Sequence, residues 1–371
     1  MAPRFELRTR TTAIPWVLGA ALLLSSCASQ KPVAPTLSPA EARARIDRSL
    51  PERLADRAGW VNDLYAAFTA LALPPSRENV CAVVAVTAQE SGFRVDPVVP
   101  DLAAIAWREI DRRAAHAGIP AGLVHEVLKL NSPTGQSYGE RIDHARTEKE
   151  LSDIFEDFTG SLPLGRTLFA SWNPIRTRGP MQVNVAFAEQ FAARHPYPYP
   201  IQVSIDEELF SRRGSLYFGT AHLLAYTAPY DRFLYRFADF NAGRYASRNA
   251  AFQHALSAAA GMPVTADGAL LPHEGQAQAG ATELAVRSLA ARLGLDDEAI
   301  HTALEQGRSP DFEHTAVYRG VFRLAEQAAG HPPARAAIPQ ITLEGPKIER
   351  HLTTEWYARR VDGRFNACLA R

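Results

Sequence analysis

Glu90 is the carboxylate whose sequence neighbours most favour chemistry. Val83, Val86 and Thr87 precede it by seven, four and three residues, which places Glu90 on the same helix face as an apolar stripe. A carboxylate on an apolar face loses hydration, so its pKa rises, and a glutamate that is protonated near neutral pH can act as a general acid. The same spacing also fits a glutamate at a helix end, exposed or paired with Arg94.

Familiar metal and nucleotide signatures are absent from the sequence. His125-Glu126 is followed by Lys129 where the HExxH zinc motif has its second histidine. No pair of cysteines has zinc-site spacing, and no glycine-rich nucleotide motif or GxSxG segment occurs. We therefore expect no metal ion and no cofactor.

Four short segments, the first of them around Glu90, follow one another along the chain. They are Gln89-Glu90-Ser91-Gly92-Phe93, Gly179-Pro180-Met181-Gln182-Val183-Asn184, Asp239-Phe240-Asn241-Ala242-Gly243 and Thr354-Glu355-Trp356-Tyr357-Ala358-Arg359-Arg360-Val361. In this order they resemble the E-S-x-F, G-L-M-Q-[IV], A-Y-N-A-G and T-x-x-Y-V-x-x-V segments of lytic transglycosylases with the goose-type-lysozyme-like fold. The resemblance covers residues 77–93, 172–260 and 350–365.

This resemblance implies an enzyme that cleaves the MurNAc-GlcNAc bond in the glycan strands of peptidoglycan. In such enzymes one glutamate, here Glu90, protonates the glycosidic oxygen and later takes a proton back. The substrate's own N-acetyl group acts as the internal nucleophile, and its 6-hydroxyl closes a 1,6-anhydro ring. No second carboxylate is then required.

The resemblance also implies roles for side chains in all four segments. The predicted substrate-binding residues are Ser91, Gly179, Met181, Gln182, Asn241 and Tyr357. Gly179 lets the backbone approach a sugar closely, and Met181 and Gln182 line the cleft. Asn241 binds an N-acetyl or hydroxyl group, and Tyr357 brings its hydroxyl to Glu90 or to the intermediate.

Structural explanations of the same residues stay open. Gly179-Pro180 suits the start of a helix, and Asn241-Ala242-Gly243 suits a helix C-terminus with a glycine cap. Tyr357 shares an apolar stripe with Val361 and fits a core position. The aromatic candidates for sugar stacking, each with core packing as the alternative, are Trp172, Trp356, Tyr226 and Tyr245.

The chain departs from the family pattern in spacing and in single residues. Glu90 and Gly179 are 89 positions apart, much further than the corresponding motifs of typical members. An insertion of helical character, about 94–170, is therefore expected beside the cleft as a lid, a selecting wall or a block. Pro180 and Phe240 replace the usual Leu and Tyr, which puts the substrate range in doubt.

Two other functions stay open on this sequence. Hydrolysis by a lysozyme or chitosanase route needs a second carboxylate that activates water, and Asp96, Glu109 and Asp239 are the candidates. The other is a non-catalytic, peptidoglycan-binding lipoprotein that has kept the fold, which the long insertion motivates.

The N-terminal residues have the pattern of a secretory signal. Arg4, Arg8 and Arg10 precede an uncharged run over 13–24, which is shorter than the ~20 residues of a membrane-spanning helix. Leu24-Ser25-Ser26-Cys27 resembles the lipobox of bacterial lipoproteins, so Cys27 is predicted to become lipidated after residues 1–26 are removed. An ordinary signal peptide is the alternative. With Ala at position 28, the resemblance implies an outer-membrane anchor facing the periplasm.

Charge and cysteine content narrow the function classes. The 40 Lys and Arg residues balance 40 Asp and Glu residues, which argues against a nucleic-acid binder that relies on a basic surface. Of the three cysteines, Cys81 and Cys368 can pair in an oxidising periplasm, with Cys81 as a small buried residue the alternative.

The elements that must position these residues are predicted to be mostly helices. Periodic apolar residues predict helices over most of the chain after residue 40. The few strand signals are Val264–Leu271, with a hairpin-type turn at Asp267-Gly268 between short apolar runs, and Ile338–Leu343. We therefore expect a mainly α, lysozyme-like domain over 41–371, with the insertion and a C-terminal extension of about 261–371. Residues 27–40, small, polar and proline-bearing, are expected to form a tether.

Overall fold

Serine caps fix where α1 and α3 begin. Helix α1 (Pro39–Ser49) follows Ser38, whose hydroxyl accepts from the Glu41 N–H while the Glu41 carboxylate bonds back to Ser38. The folded part therefore starts slightly before the predicted end of the tether at residue 40. Helix α3 (Arg77–Glu90) follows Ser76, whose side chain accepts from the Asn79 N–H.

The computed structural model describes residues 37–162, 173, 175–272, 278–345 and 350–371. This part is mainly helical, as predicted. The other helices are α2 (Arg57–Ala70), α4 (Leu102–His116), α5 (Ala121–Val127), α6 (Tyr138–His144), α7 (Glu148–Ser161), α8 (Val185–Ala192), α9 (Ile205–Glu208), α10 (Arg212–Leu224), α11 (Phe233–Ala242), α12 (Ala246–Ala260), α13 (Ala281–Arg287), α14 (Ala290–Leu293), α15 (Asp297–Glu305), α16 (Ala316–Ala329) and α17 (Thr354–Leu369). Two antiparallel pairs form the strands, β1 (Thr177–Arg178) with β2 (Val183–Asn184) and β3 (Thr342–Leu343) with β4 (Leu352–Thr353).

Helix α3 is the central element of the main core. Every residue from Val80 to Thr87 is buried, so the helix is enclosed on all sides and not only along the predicted stripe. Helix α17 packs along it, with α1 and α10 as further neighbours, and α11 packs on α17. The end of α3 at Glu90 is thereby held between elements that are far apart in sequence.

A disulfide joins the two helices at the centre of this core. Cys81 of α3 and Cys368 of α17 are bonded with their Cα atoms 5.6 Å apart, and both are buried. The predicted pairing is therefore present in this structure. It closes a loop with a sequence separation of 287.

Two smaller apolar clusters flank the main core. The segment predicted as an insertion contributes α4, α6 and α7 to one cluster, which includes Leu102, Tyr138 and Ile154. The other cluster unites α12 with α13, α15 and α16 around Phe252 and Phe312.

The predicted C-terminal extension needs a correction. Residues 281–329 belong to the second of these clusters, but α17 returns to the main core through Tyr357, Val361 and Phe365. The predicted hairpin at 264–271 is also wrong, because this stretch forms bends without strand pairing. Within the described ranges, no helix has the length and apolar character needed to cross a membrane.

Candidate functional site

Glu90 is the last residue of α3 and is only half-buried, whereas every residue from Val80 to Thr87 is buried. Ser91 ends the helix, and its backbone N–H donates to the Thr87 carbonyl. The Ser91 hydroxyl, itself buried, also donates to that carbonyl at 3.2 Å. The proton of the Ser91 hydroxyl therefore closes the helix end in this structure, and substrate binding by Ser91 stays a prediction.

Burial dominates the electrostatics of Glu90. Loss of hydration raises its pKa from 4.5 to about 7, and a hydrogen bond from Tyr357 offsets part of this rise. The predicted alternative, an ion pair with Arg94, is not formed, because the Arg94 Nε donates to the Ser91 carbonyl instead. Glu90 is thus a carboxyl group that is substantially protonated at neutral pH.

Tyr357 contacts Glu90 although the two residues are far apart in the sequence. The Tyr357 hydroxyl donates to Glu90 Oε1 at 2.5 Å, a contact between residues 267 positions apart. Burial, followed by the neighbouring negative charge of Glu90, raises the Tyr357 pKa well above its usual value, so the phenol keeps its proton. The predicted approach of Tyr357 to Glu90 is confirmed. The structural alternative, a core position for Tyr357, is also correct.

Asn241 connects the third motif to the fourth. The Thr354 hydroxyl donates to Asn241 Oδ1 at 2.8 Å. Thr354 begins α17 directly after its cap residue Thr353 and lies three positions before Tyr357. The side chains of Glu90, Tyr357, Thr354 and Asn241 therefore form two contacts, about one turn apart on α17, which links α3 to α11. Asn241 itself is exposed, which leaves its amide nitrogen available to a ligand.

Gly179 is required by protein packing. It adopts φ +70°, and an added Cβ would lie 2.1 Å from the Leu209 carbonyl oxygen and 2.7 Å from the Ser215 Cβ. The predicted reason, close approach of the backbone to a sugar, does not apply here, because Leu209 at the end of α9 and Ser215 of α10 occupy that space. The structural alternative, a helix start at Gly179-Pro180, does not hold either, since Gly179 lies in the loop between β1 and β2.

Met181 does not line a cleft. Its side chain is completely buried against Gly219 of α10, and its N–H donates to the Ser215 hydroxyl at 2.9 Å. The prediction for Met181 is corrected accordingly to a core residue.

Gln182 connects this loop to the predicted insertion. Its Oε1 accepts from the Thr177 hydroxyl at 2.9 Å, and its Nε2 donates to the Glu148 carboxylate at 3.1 Å. The amide thus contacts the protein where a sugar was predicted. Gln182 also has φ +50°, a left-handed conformation that is uncommon outside glycine. The sequence did not predict that buried Glu148 and Thr354 contact the candidate site residues. Thr354 stands inside a motif, whereas no sequence pattern pointed to Glu148.

The three candidates for a second carboxylate differ in their burial and in their contacts. Asp239 is buried and accepts from the Tyr226 and Tyr230 hydroxyls and from two backbone N–H groups, so it is a structural hub. Glu109 pairs with Arg112 and Arg113, and the first of these contacts is the largest cause that lowers its pKa to about 2.

Asp96 is the remaining candidate. It is exposed and six positions beyond Glu90, and partial burial is the main cause that raises its pKa. Its carboxylate also accepts from Thr147 at the start of the insertion's last helix.

Comparison with known proteins places the chain in a family. A family model described as "Protein of unknown function (DUF1615)" matches residues 53–371. The chain belongs to this family. A relative, "Uncharacterized protein YaiW" of Escherichia coli (strain K12), is 49% identical over 352 residues, which is 94% of this chain and 96% of that protein. No solved structure matches the chain.

The DUF1615 match includes all four motifs, whereas Cys27 precedes it. Cys27 and Trp172 also lie outside the residues that the structure describes. Of the other aromatic candidates, Tyr245 is buried and Tyr226 bonds to Asp239, but Trp356 is 37% exposed beside Tyr357. In the described part of the chain, no three His, Cys, Asp or Glu side chains are grouped as metal ligands would be.

Proposed function

We propose that this protein is a peptidoglycan-cleaving enzyme of the lytic transglycosylase type, built on a lysozyme-like helical domain. One observation carries the proposal. The half-buried Glu90, with a pKa of about 7, accepts a hydrogen bond from the hydroxyl of Tyr357, which lies 267 positions away in another motif. A general acid works best when its pKa lies near the operating pH, because both protonation states are then populated.

In the proposed mechanism the two oxygens of Glu90 have different tasks. Oε1 accepts from Tyr357, so the acidic proton of the neutral group resides on Oε2. That oxygen donates the proton to the glycosidic oxygen as the bond to C1 breaks, and the substrate's N-acetyl oxygen closes on C1. The resulting carboxylate then takes the proton of the 6-hydroxyl, whose oxygen displaces the N-acetyl oxygen and forms the 1,6-anhydro ring.

The products of peptidoglycan digestion test this proposal. Purified sacculi are digested with the wild-type protein and with Glu90→Gln, which keeps the side-chain shape but cannot deliver the proton. The control is Glu52→Gln, an exposed glutamate outside the site. We expect 1,6-anhydro-muropeptides by mass spectrometry with the wild type and the control, and none with Glu90→Gln. Absence of glycan cleavage by the folded wild type, across several mureins and with detergent, would refute the proposal.

Hydrolysis is a second candidate because of Asp96. Its exposure and raised pKa suit a carboxylate that activates water. Products with ordinary reducing ends, lost in both Glu90→Gln and Asp96→Asn, would select this route. Binding of sacculi with no products from any variant would instead select a non-catalytic peptidoglycan-binding protein.

We further propose that Cys27 carries lipid and holds the protein at the outer membrane, facing the periplasm. The charged start, the short apolar run and the lipobox-like Leu24-Ser25-Ser26-Cys27 support this. Cys27→Ala should abolish incorporation of labelled palmitate and release the protein from the membrane fraction. Equal labelling of both forms, or fractionation with the inner membrane, contradicts the proposal.

A further inference from the structure

A cavity lies at the opposite end of α3 from Glu90. It has a volume of about 520 Å³. The charged and hydroxyl residues that line it are Arg45, Arg48, Ser49, Ser76, Arg77, Glu78 and Arg371. The side chains of this arginine cavity therefore carry four positive charges against a single negative charge.

The four guanidinium groups have few negatively charged neighbours. The Arg45 Nη1 donates to the Pro75 carbonyl at 3.3 Å, and the Arg371 Nη2 donates to the Ser49 carbonyl at 2.8 Å. Both contacts are to neutral oxygens. In the part of the chain that the structure describes, none of the four arginines forms an ion pair with a side-chain carboxylate, although the charge of Glu41 acts on Arg45 one helical turn away. Like charges this close repel one another, so an anion in the cavity lowers the energy of the group.

The cavity is assembled from segments that the core holds firmly. Arg45 and Arg48 lie on α1, Arg77 begins α3, and Arg371 follows α17. The disulfide between α3 and α17 adjoins the cavity through Cys368. Because the frame is fixed before a ligand arrives, binding needs little reorganisation of the backbone.

The donor set indicates the chemistry of the ligand. Guanidinium groups present paired N–H donors that match the oxygens of phosphate, and several can surround one tetrahedral group. The first turn of α3 adds backbone donors, because Ser76 satisfies the Asn79 N–H while the Arg77 and Glu78 N–H groups have no acceptor within the helix. We propose that the arginine cavity binds a phosphate group, either of a lipid headgroup or of a soluble phosphomonoester. This proposal is independent of the chemistry at Glu90.

The test uses the full chain and an exposed pair of arginines. Arg48 and Arg77 are exposed and support no other described contact, so Arg48→Ala with Arg77→Ala should leave the fold intact. The control is Arg323→Ala, an exposed arginine on α16. One arm measures the unfolding temperature against glycerol 3-phosphate. The other measures co-flotation with vesicles of phosphatidylcholine alone or with added phosphatidylglycerol, comparing variants in the same lipidation state.

Binding of either probe by the wild type, weakened about tenfold or more in the double variant and unchanged in the control, supports the proposal. Stabilisation by glycerol 3-phosphate without added flotation identifies a soluble ligand, and the reverse identifies a lipid headgroup. No response to either probe, or an equal response of the double variant, overturns the proposal. The charge reversal Arg77→Glu should remove binding completely and provides a second variant.

Discussion

Replacing Glu90 by glutamine should change how the stability of this protein depends on pH. Glutamine has the shape of the protonated glutamate, and its amide oxygen can still accept from Tyr357. The variant therefore resembles the neutral form of the site at every pH. Any difference between the two proteins reports the cost of holding an ionised carboxylate at the end of α3.

The sign and the size follow from the pKa of Glu90. Burial raises this pKa from 4.5 to about 7. Between these values the native state binds a proton that the unfolded chain releases, so the free energy of unfolding falls as pH rises through this window. One pKa unit corresponds to about 1.4 kcal/mol, and the wild type should lose roughly 2 to 3 kcal/mol between about pH 5 and about pH 8.5 relative to the variant.

Urea unfolding followed by circular dichroism measures this difference directly. Wild type, Glu90→Gln and the exposed control Glu52→Gln are compared at both pH values. We expect the wild type and Glu90→Gln to be nearly equal at the lower pH, and Glu90→Gln to be more stable at the higher pH. Parallel pH profiles for the wild type and Glu90→Gln would show that the carboxylate is solvated, and the reasoning about its acidity would then fail.

The structure predicts the effects of three further sets of substitutions. Tyr357→Phe removes the hydrogen bond that lowers the pKa of its glutamate partner, so the pH at which stability falls should move upward in the same unfolding assay. Gly179→Ala places a Cβ against backbone and should cost about 3 kcal/mol or more, whereas Gly330→Ala, with positive φ but open space, should cost only about 1 kcal/mol. Replacing both Cys81 and Cys368 by alanine should lower the free energy of unfolding by about 2 to 5 kcal/mol, and non-reduced wild-type protein should show neither thiol in a labelling assay.

Local sequence patterns went furthest for the helices and their ends. Ser76 stands before an apolar periodic run and caps α3, as its residue type favours. Ser38 also caps a helix, although residues 27–40 were expected to form a tether. The apolar stripe before Glu90 predicted a helix with Glu90 on the same face, and this helix ends at Glu90. These features depend on residues within a few positions of one another, so they are legible without a tertiary structure.

The sequence identified the motif residues but did not predict what their side chains and backbone contact. Gly179 and Met181 stand in a segment that resembles a sugar-binding loop, yet both are fixed by contact with α10. The sequence pattern contains the residue type but not the identity of the surface that the residue meets. For the same reason Gln182 was expected to face a substrate and instead bonds to Glu148.

The sequence by itself determined which residues carry ionisable groups and which helix ends at Glu90. The tertiary structure decided what Glu90 becomes chemically. Its pKa depends on how much water all neighbouring segments exclude, and on a hydroxyl that α17 supplies from 267 positions away. Desolvation sums over contacts in space, whereas sequence periodicity reports only the face of one helix, so the acidity of this group appears only when the chain is folded.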